Sequence, residues 1–444
     1  IDTVESGILA TITVMSILAS TTATAQWAEG AWSTYRGFPA AIAFFEDRIV
    51  YGGTAHKPQT LWFSQPDDYE DFQEDVLADS PFSIRLTTMN AIRWIEGLDA
   101  LTIGTSGDEW AVFSSKLAVP LTPTNFSAKR QSTYGSAALQ PLRVRNAILF
   151  LDYVRRKVRE MAYNVSEDKY VAPDMTALAE HISSGGIVAM ALQRNPDQIL
   201  WCVRADGTLL SLTYERDQNV IAWGNHVMGA AGIATAGLVE SVSVIPGTSE
   251  DEVWLSVKRT INGSTNRYIE RMTSRAFATQ SDCFFVDCGL TYSGASATVL
   301  TGLDHLEGQT VSILGGGAVF PTKVVTGGSI TLETAVTKAA VGLAYRYQVK
   351  PMRIDLTTGS GSTRGRLQRI GELTLSFLST LNAKYGLTVS DLYDINWRTT
   401  EAYGSPTALY TGDKDVHMDG GFDGENAIVV SGQDPLPCTL RAII

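Results

Sequence analysis

The sequence predicts an all-β protein: a degenerate β-propeller, then a small β-barrel or sandwich module, then a C-terminal β-module. Three observations predict it: a repeat near fifty residues made of short apolar strands, tight-turn dipeptides between those strands, and a composition that is polar without being charged. Hydrophobic residues are 44% of the 444 and charged residues only 18%. Disorder is thereby disfavoured, and the polar surface must come from Ser, Thr, Asn and Gln, which suits sheets better than a charged helical bundle. A chain this long also exceeds the roughly 250–300 residues that one core supports, so several domains are expected.

The repeat shows five times, each as apolar strand, turn, apolar strand, turn, apolar strand. It runs Ala41–Phe45, Arg48–Gly52 and Thr60–Ser64, then Ala91–Trp94, Leu101–Gly104 and Glu109–Phe113, then Leu142–Val144, Ile148–Leu151 and Val158–Tyr163. The fourth copy has Ile187–Leu192, Ile199–Val203 and Leu209–Tyr214, and the fifth Val242–Ile245, Val253–Lys258 and Tyr268–Met272. Taking Ile49, Leu101, Leu149, Leu200 and Trp254 as equivalent anchors gives spacings of 52, 48, 51 and 54 by subtraction. Asp206-Gly207 and Asn262-Gly263 are hairpin signals in which both turn residues are expected at positive φ. A unit of three or four strands cannot bury both faces alone, and radial stacking supplies the neighbours. Consecutive hairpins forming sandwiches are the alternative, since the copies share no Trp-Asp signature.

These features divide the chain into 1–26, 27–288, 289–352 and 353–444. The first segment is read as the remainder of a preceding domain: the chain begins with Ile1, which predicts a processed product or a missing N-terminal piece. Its apolar stretch Ile8–Ala25 lacks a positive leader, because Asp2 and Glu5 precede it, so a strand pair is expected there and no membrane span. Beyond Cys288, short Thr/Val-rich strands (Thr298–Leu300, Thr310–Leu314, Lys323–Val325, Ser329–Leu332, Val341–Leu343) are separated by Gly pairs and predict the small module. A polar linker, Thr357–Gly365, leads to the last module, with strands at Glu372–Leu378 and Ala427–Val430.

A formal charge of −12 opposes tight phosphate binding by counterion release, while leaving room for an acidic wall past which DNA slides. Four cysteines, Cys202, Cys283, Cys288 and Cys438, are too few for a disulfide scaffold and lack paired zinc spacing, which fits assembly in a reducing cytoplasm. The Cys283–Cys288 stretch reads as a buried strand with free thiols.

Sequence phrases in a fixed order resemble a family. Trp27–Ser33, Arg36–Ala40, Arg48–Thr54, Pro58–Ser64 and Asp68–Phe72 are similar to a pattern in the large tail tubular, or nozzle, proteins of short-tailed bacteriophages. Trp201 with Asp206-Gly207 and Leu212–Tyr214, then Trp223, continue the resemblance. So do Val257–Arg259 with Asn262-Gly263, Arg267–Glu270, Gly302–Gln309, Leu409–Asp413 and Asp434–Pro437. The resemblance implies a non-enzymatic virion protein, assembled in the host cytoplasm. It would form a ring homo-oligomer, a hexamer, in contact with the tail adaptor and fibres, with genomic DNA passing through the lumen unbound. A carbohydrate-binding adhesin or fibre-docking hub is the alternative, since 9 Trp and 16 Tyr offer stacking surfaces; a depolymerase is a third.

No HExxH, GxSxG or GxxxxGK[ST] occurs, and the five histidines, His56, His181, His226, His305 and His417, are scattered. The acidic run Asp67, Asp68, Glu70, Asp71, Glu74, Asp75 suggests cation ligands or paired carboxylates, but with Pro66, Tyr69 and Phe72 it reads as a solvated or interface loop. Asp413, Asp415, His417 and Asp419 resemble half a calcium loop, yet Asn426 stands where the closing Glu is required, and alternation puts them on one exposed strand face. Asp304-His305 reads as a turn. The basic group Arg143, Arg145, Arg155, Arg156, Lys157 and Arg159 reads as a solvated hairpin tip or a subunit contact. Gly315–Gly317 and Gly359–Gly365 lack phosphate-loop context. No catalytic, cofactor-binding or metal-ligating residue is therefore assigned, and no cofactor is expected.

Overall fold

The structure is a computed structural model describing residues 3–6, 9–11, 30–116, 119–229, 237–353, 355, 357–358, 361–402, 404–424 and 427–444. Apart from three short 3-10 turns, every regular element among these is a strand, paired antiparallel. The chain divides into two compact units, Ile1–Val188 and Ala189–Ile444. At the N-terminus Thr3–Ser6 pairs with Leu9–Thr11; the rest of the strand pair expected over Ile8–Ala25 lies outside the described residues.

Each predicted repeat is one meander sheet, the blade unit of a propeller. The first unit holds three. The first sheet is Ala41–Phe45, Arg48–Gly52, Thr60–Phe63, Phe82–Arg85; the second is Ile92–Gly97, Leu101–Thr105, Glu109–Ser114, Phe126–Ser132; the third is Leu142–Val144, Ala147–Leu151, Val158–Asn164, Lys169–Val171. Strands Leu101–Thr105 and Ala147–Leu151 are buried at every position, so both faces of these sheets need a neighbour. They find one in each other. Phe45, Val50, Leu61 and Phe63 pack with Ile95, Leu101, Ile103 and Val112, and the opposite face of the second sheet, through Trp94 and Ala111, packs with Ile148, Phe150 and Met161.

The second unit continues the pattern. Its meanders are Ile187–Gln193, Ile199–Arg204, Leu209–Glu215, Val220–His226, and the three-stranded Leu238–Ile245, Glu252–Ile261, Ser264–Arg271. Trp201, Val203 and Leu209 of one sheet pack on Val239, Leu255 and Val257 of the next. The small module is a four-stranded sheet in the spatial order Asp287–Thr301, Ser329–Leu343, Thr310–Gly315, Ala318–Val324. It packs around Leu300, Leu306, Val311, Ile313, Val325 and Ile330, and Lys323 is ion-paired to Glu333. The C-terminal module is a sandwich. One sheet holds Glu372–Thr380 between Tyr410–His417 and Leu440–Ile443, the other joins Tyr347–Val349, Val429–Gly432, Lys384–Thr388 and Asp391–Asp394, and Leu375, Phe377, Tyr385 and Val430 lie between them.

Asn262 and Gly263 take φ of 49° and 75°, as the two-residue hairpin expectation requires. Asp206-Gly207 differs: only Gly207 has positive φ. There Gly207 N donates to Arg204 O and Arg204 N to Thr208 O, a three-residue loop closing on a bulge. The Asp206 carboxylate is engaged by Thr208 N and the Arg204 guanidinium, which removes the need for a left-handed Asp.

The connection between the third and fourth strands of the first sheet is long, and two devices hold it. Trp32 meets Tyr51, Trp62 and Phe72 edge-on at 5.0, 5.7 and 4.8 Å, so Phe72 anchors the loop's middle. Arg48, 3% exposed, anchors its ends by donating to the carbonyl oxygens of Ser64, Ser80 and Ala78. An Arg48→Ala substitution should cost about 2–3 kcal/mol, because it strands buried carbonyls. Limited proteolysis should then cut between Pro66 and Ser80, and a loop that stays as resistant as in the wild type would refute the clamp.

Candidate functional site

The acidic run forms the exposed surface of that clamped loop. Asp68, Asp71 and Asp75 accept the backbone N–H of Glu70, Gln73 and Val76, so three of the carboxylates shape local turns. Asp67 N donates to Asp47 O at 3.2 Å, and Tyr69 packs edge-on against Phe44 at 5.4 Å. The carboxylates therefore splay outward along the loop. Among the described residues no group of three His, Cys, Asp or Glu could hold a metal ion.

The basic segment is not one cluster. Arg143 and Arg145 flank the first turn of the third sheet, whereas Arg155, Arg156 and Lys157 occupy its second turn, and successive turns of a meander lie at opposite ends of the sheet. Around the second turn, Lys157 pairs with Asp174 at 3.0 Å, and Asp152 Oδ1 accepts the N–H groups of Arg156 and Lys157. Arg159 turns inward, stacks over Tyr134 at 3.5 Å and donates to Ala172 O.

Asp413, Asp415 and His417 alternate on the exposed face of Tyr410–His417, as expected, while Asp419 lies beyond the strand end. Asp415 accepts the Thr374 hydroxyl. Asp304 and His305 sit in a 3-10 turn, with His305 Nε2 3.0 Å from Cys288 O. Gly316 and Gly317, at φ 56° and 85°, make a hairpin turn; of Gly359–Gly365, positions 359–360 lie outside the described residues. All four cysteines are free thiols, and burial pushes Cys283 up to about 11 and Cys288 up to about 12.

Three arrangements escaped the sequence reading. His226 Nε2 lies 2.8 Å from Ser211 Oγ, a serine–imidazole contact between neighbouring strands. Burial lowers this imidazole to about 4, far from the value a base needs near neutral pH, and no carboxylate among the described residues orients the ring. Trp201, 5.2 Å from the imidazole, makes the pair part of the packing at that sheet's edge.

Glu109 was read as one residue of an apolar strand. It is fully buried and accepts the Ser132 and Ser136 hydroxyls and Tyr134 N, tying the outer strand and the next segment to the sheet. Burial raises its pKa despite these hydrogen bonds and the Arg159 charge nearby.

In the second unit Arg259 has no exposed side-chain surface. Its guanidinium donates to both Glu270 oxygens, at 2.6 and 2.8 Å, and to Asp287 Oδ1 at 2.8 Å, joining the fifth meander to the first strand of the small module. Burial opposes the Arg259 charge, but the Glu270 hydrogen bonds and the Asp287 charge outweigh it and hold the guanidinium protonated. Burial lifts the Asp287 carboxyl, even beside Arg259. Alternation could have flagged Arg259 as inward-facing between Val257 and Ile261; nothing in the sequence gives its partners.

No family model and no curated protein matches the chain. Among solved structures it is similar to the β-propeller domain of Cps50 (Swd1) from Myceliophteria thermophila, at 8% identity and a TM-score of 0.31, over 53% of this chain and 73% of that one. It is also similar to a luciferin-regenerating enzyme, at 13% identity and a TM-score of 0.23, over 51% and 92%. The blade description rests on the strand pairing itself. No helix among the described residues is long and apolar enough to cross a membrane.

Removing Arg259 leaves two buried carboxylates unpaired, so Arg259→Ala should cost about 3–5 kcal/mol in urea unfolding; a loss below about 1 kcal/mol would show that the pin holds nothing. Glu109→Gln removes the charge and keeps one of the two accepting oxygens. A carboxyl raised on folding contributes stability below its unfolded pKa and loses it as pH rises through the folded one. The stability of Glu109→Gln relative to wild type should therefore be greater at about pH 8 than at about pH 4. A pH-independent difference between the two proteins would remove the argument.

Proposed function

We propose that this chain is a structural subunit of a short-tailed bacteriophage tail, a wall element of the nozzle or tube that closes into a ring around the path of genome exit. The observation that carries the reading is where the family-like phrases fall. Trp32, Tyr51, Trp62 and Phe72 come from four separate phrases and meet in one aromatic cluster. Arg259 and Glu270 come from two more and form the buried pin. Within Gly302–Gln309, Leu303 and Leu306 enter the small module's core, and the Glu307 carboxylate accepts Gly327 N and Gly328 N. The carbonyls of Asp434 and Leu436, within Asp434–Pro437, are held by the Asn382 amide. Residues that carry the resemblance are thus spent on fixing loops and joining sheets, as a load-resisting wall requires.

On this reading the work is mechanical. Stiff β-modules resist the pressure of packaged genome, and a net charge of −12 repels phosphates, so DNA passes the lumen without lodging. Identical copies meet through heterologous contacts that close into a ring, with adaptor and fibres docking on other faces.

Six copies of the 48.0 kDa chain make a ring of about 290 kDa. Mass photometry of the purified protein, alone and with its neighbouring tail proteins, should find that species. Electron micrographs of virions treated with an antibody to the chain should show label at the tail. Monomer alone at every concentration, or label confined to non-tail structures, would sink the reading.

A further inference from the structure

The first unit has two chemically opposite ends. The turns at Glu46–Asp47, Leu98–Ala100 and Arg145–Asn146 gather at one: a Cβ on Gly97 would stand 3.1 Å from Phe44 O, and Arg143 donates to Gly97 O at 3.4 Å. The acidic loop is tied to this end by the hydrogen bond from Asp67 N to Asp47 O. Beside its carboxylates it exposes Tyr69, Val76 and Leu77, and Tyr69 leans on Phe44, itself 64% exposed. Among the described residues, Asp67, Asp68, Glu70, Asp71, Glu74 and Asp75 make no ion pair. Arg143 and Arg145 also stand at this end, Arg143 folded onto Gly97 O.

The opposite end of the third sheet closes on the turn Asp152–Lys157. Tyr153 and Val154, 65% and 48% exposed, precede the exposed Arg155 and Arg156, whose guanidinium groups meet no carboxylate among the described residues. The turn is rigid. Asp152 caps it, Ser183 Oγ donates to Arg156 O, and Ile187 N to Arg155 O. A preorganised tip with one aromatic ring, one aliphatic group and two free cations thus stands at one end of the unit. A preorganised acidic loop rimmed by apolar side chains stands at the other.

We infer that these two surfaces meet between neighbouring copies: the tip Tyr153–Arg156 of one chain docks on the loop Asp67–Leu77 of the next, a head-to-tail contact. The partner is a second copy of this chain, because the two surfaces complement each other in charge and both carry exposed apolar groups beside their charges. A head-to-tail contact uses a different patch on each partner, and such contacts close into rings when the rotation allows. The inference rests on the ring reading above and names the contact that would build it.

Charge exchange tests it. Glu70→Lys with Glu74→Lys takes the six-carboxylate loop from a charge of −6 to −2 without touching its capping aspartates. Arg155→Asp with Arg156→Glu reverses the tip, Asp being tolerant of the positive φ of 64° at position 155. Each pair should weaken self-association at least about tenfold, with the thermal melt unchanged, and all four substitutions in one chain should assemble better than the tip pair alone, because the less acidic loop repels the acidic tip less. Added salt should loosen the wild-type assembly. A wild type that assembles while both reversals assemble equally well overturns this contact and leaves the ring reading standing. A wild type that is monomeric at all concentrations overturns both.

Discussion

The constraint on which the rest depends is that these sheets are apolar on both faces. A meander whose second strand is buried at every position, as in Leu101–Thr105 and Ala147–Leu151, cannot stand in water with either face open. Each sheet must be covered twice, and a chain of successive meanders covers each with the next. In the first unit the second sheet carries out both duties, presenting Ile95, Ile103 and Val112 one way and Trp94 and Ala111 the other. The repeat length follows: about fifty residues is what four short strands and their turns occupy.

Face-to-face burial is non-directional and tolerates sliding, so it does not by itself fix where loops and neighbouring modules go. The buried charges supply direction. Arg48 reaches three carbonyls of one loop, Glu109 gathers two hydroxyls and a backbone N–H from two segments, and Arg259 grips carboxylates from two different sheets. Each is costly to bury and more costly to leave unpaired, so each penalises any arrangement that parts it from its partners. Position is gained where hydrophobic area alone would leave play.

Much of the fold was legible because the inner strands carry their burial in their sequence. Ile49, Leu101, Leu149, Leu200 and Trp254 all fall on the second strand of their sheets. Two of the fourth strands were missed for the converse reason: Phe126–Ser132 and Val220–His226 contain no buried residue, so they lack the apolar pattern that announces a strand, whereas Phe82–Arg85 and Lys169–Val171 bury residues but are only four and three residues long. Their place is set by hydrogen bonds to the strand before them. The same limit hid the charged pins, since an Arg or Glu within an apolar run names no partner. It also fused the basic residues 143–159 into one group, because spacing along the chain does not say that two successive turns lie at opposite ends of a sheet.

The surface chemistry follows from the same division of labour. Where the loop of the first sheet is fixed by Phe72, Arg48 and its own capping aspartates, its outward Glu70 and Glu74 side chains take no part in holding it. The tip at Tyr153–Arg156 is likewise fixed through Asp152 and Ser183, and its outward side chains are free of structural work. A group that bears no load at home, yet is held rigid, pays little conformational entropy when a partner arrives. Exposed aromatic rings and unpaired charges on clamped loops are therefore the places where binding free energy is least eroded. The proposed wall would gain its joints at the points where each unit is already stiff.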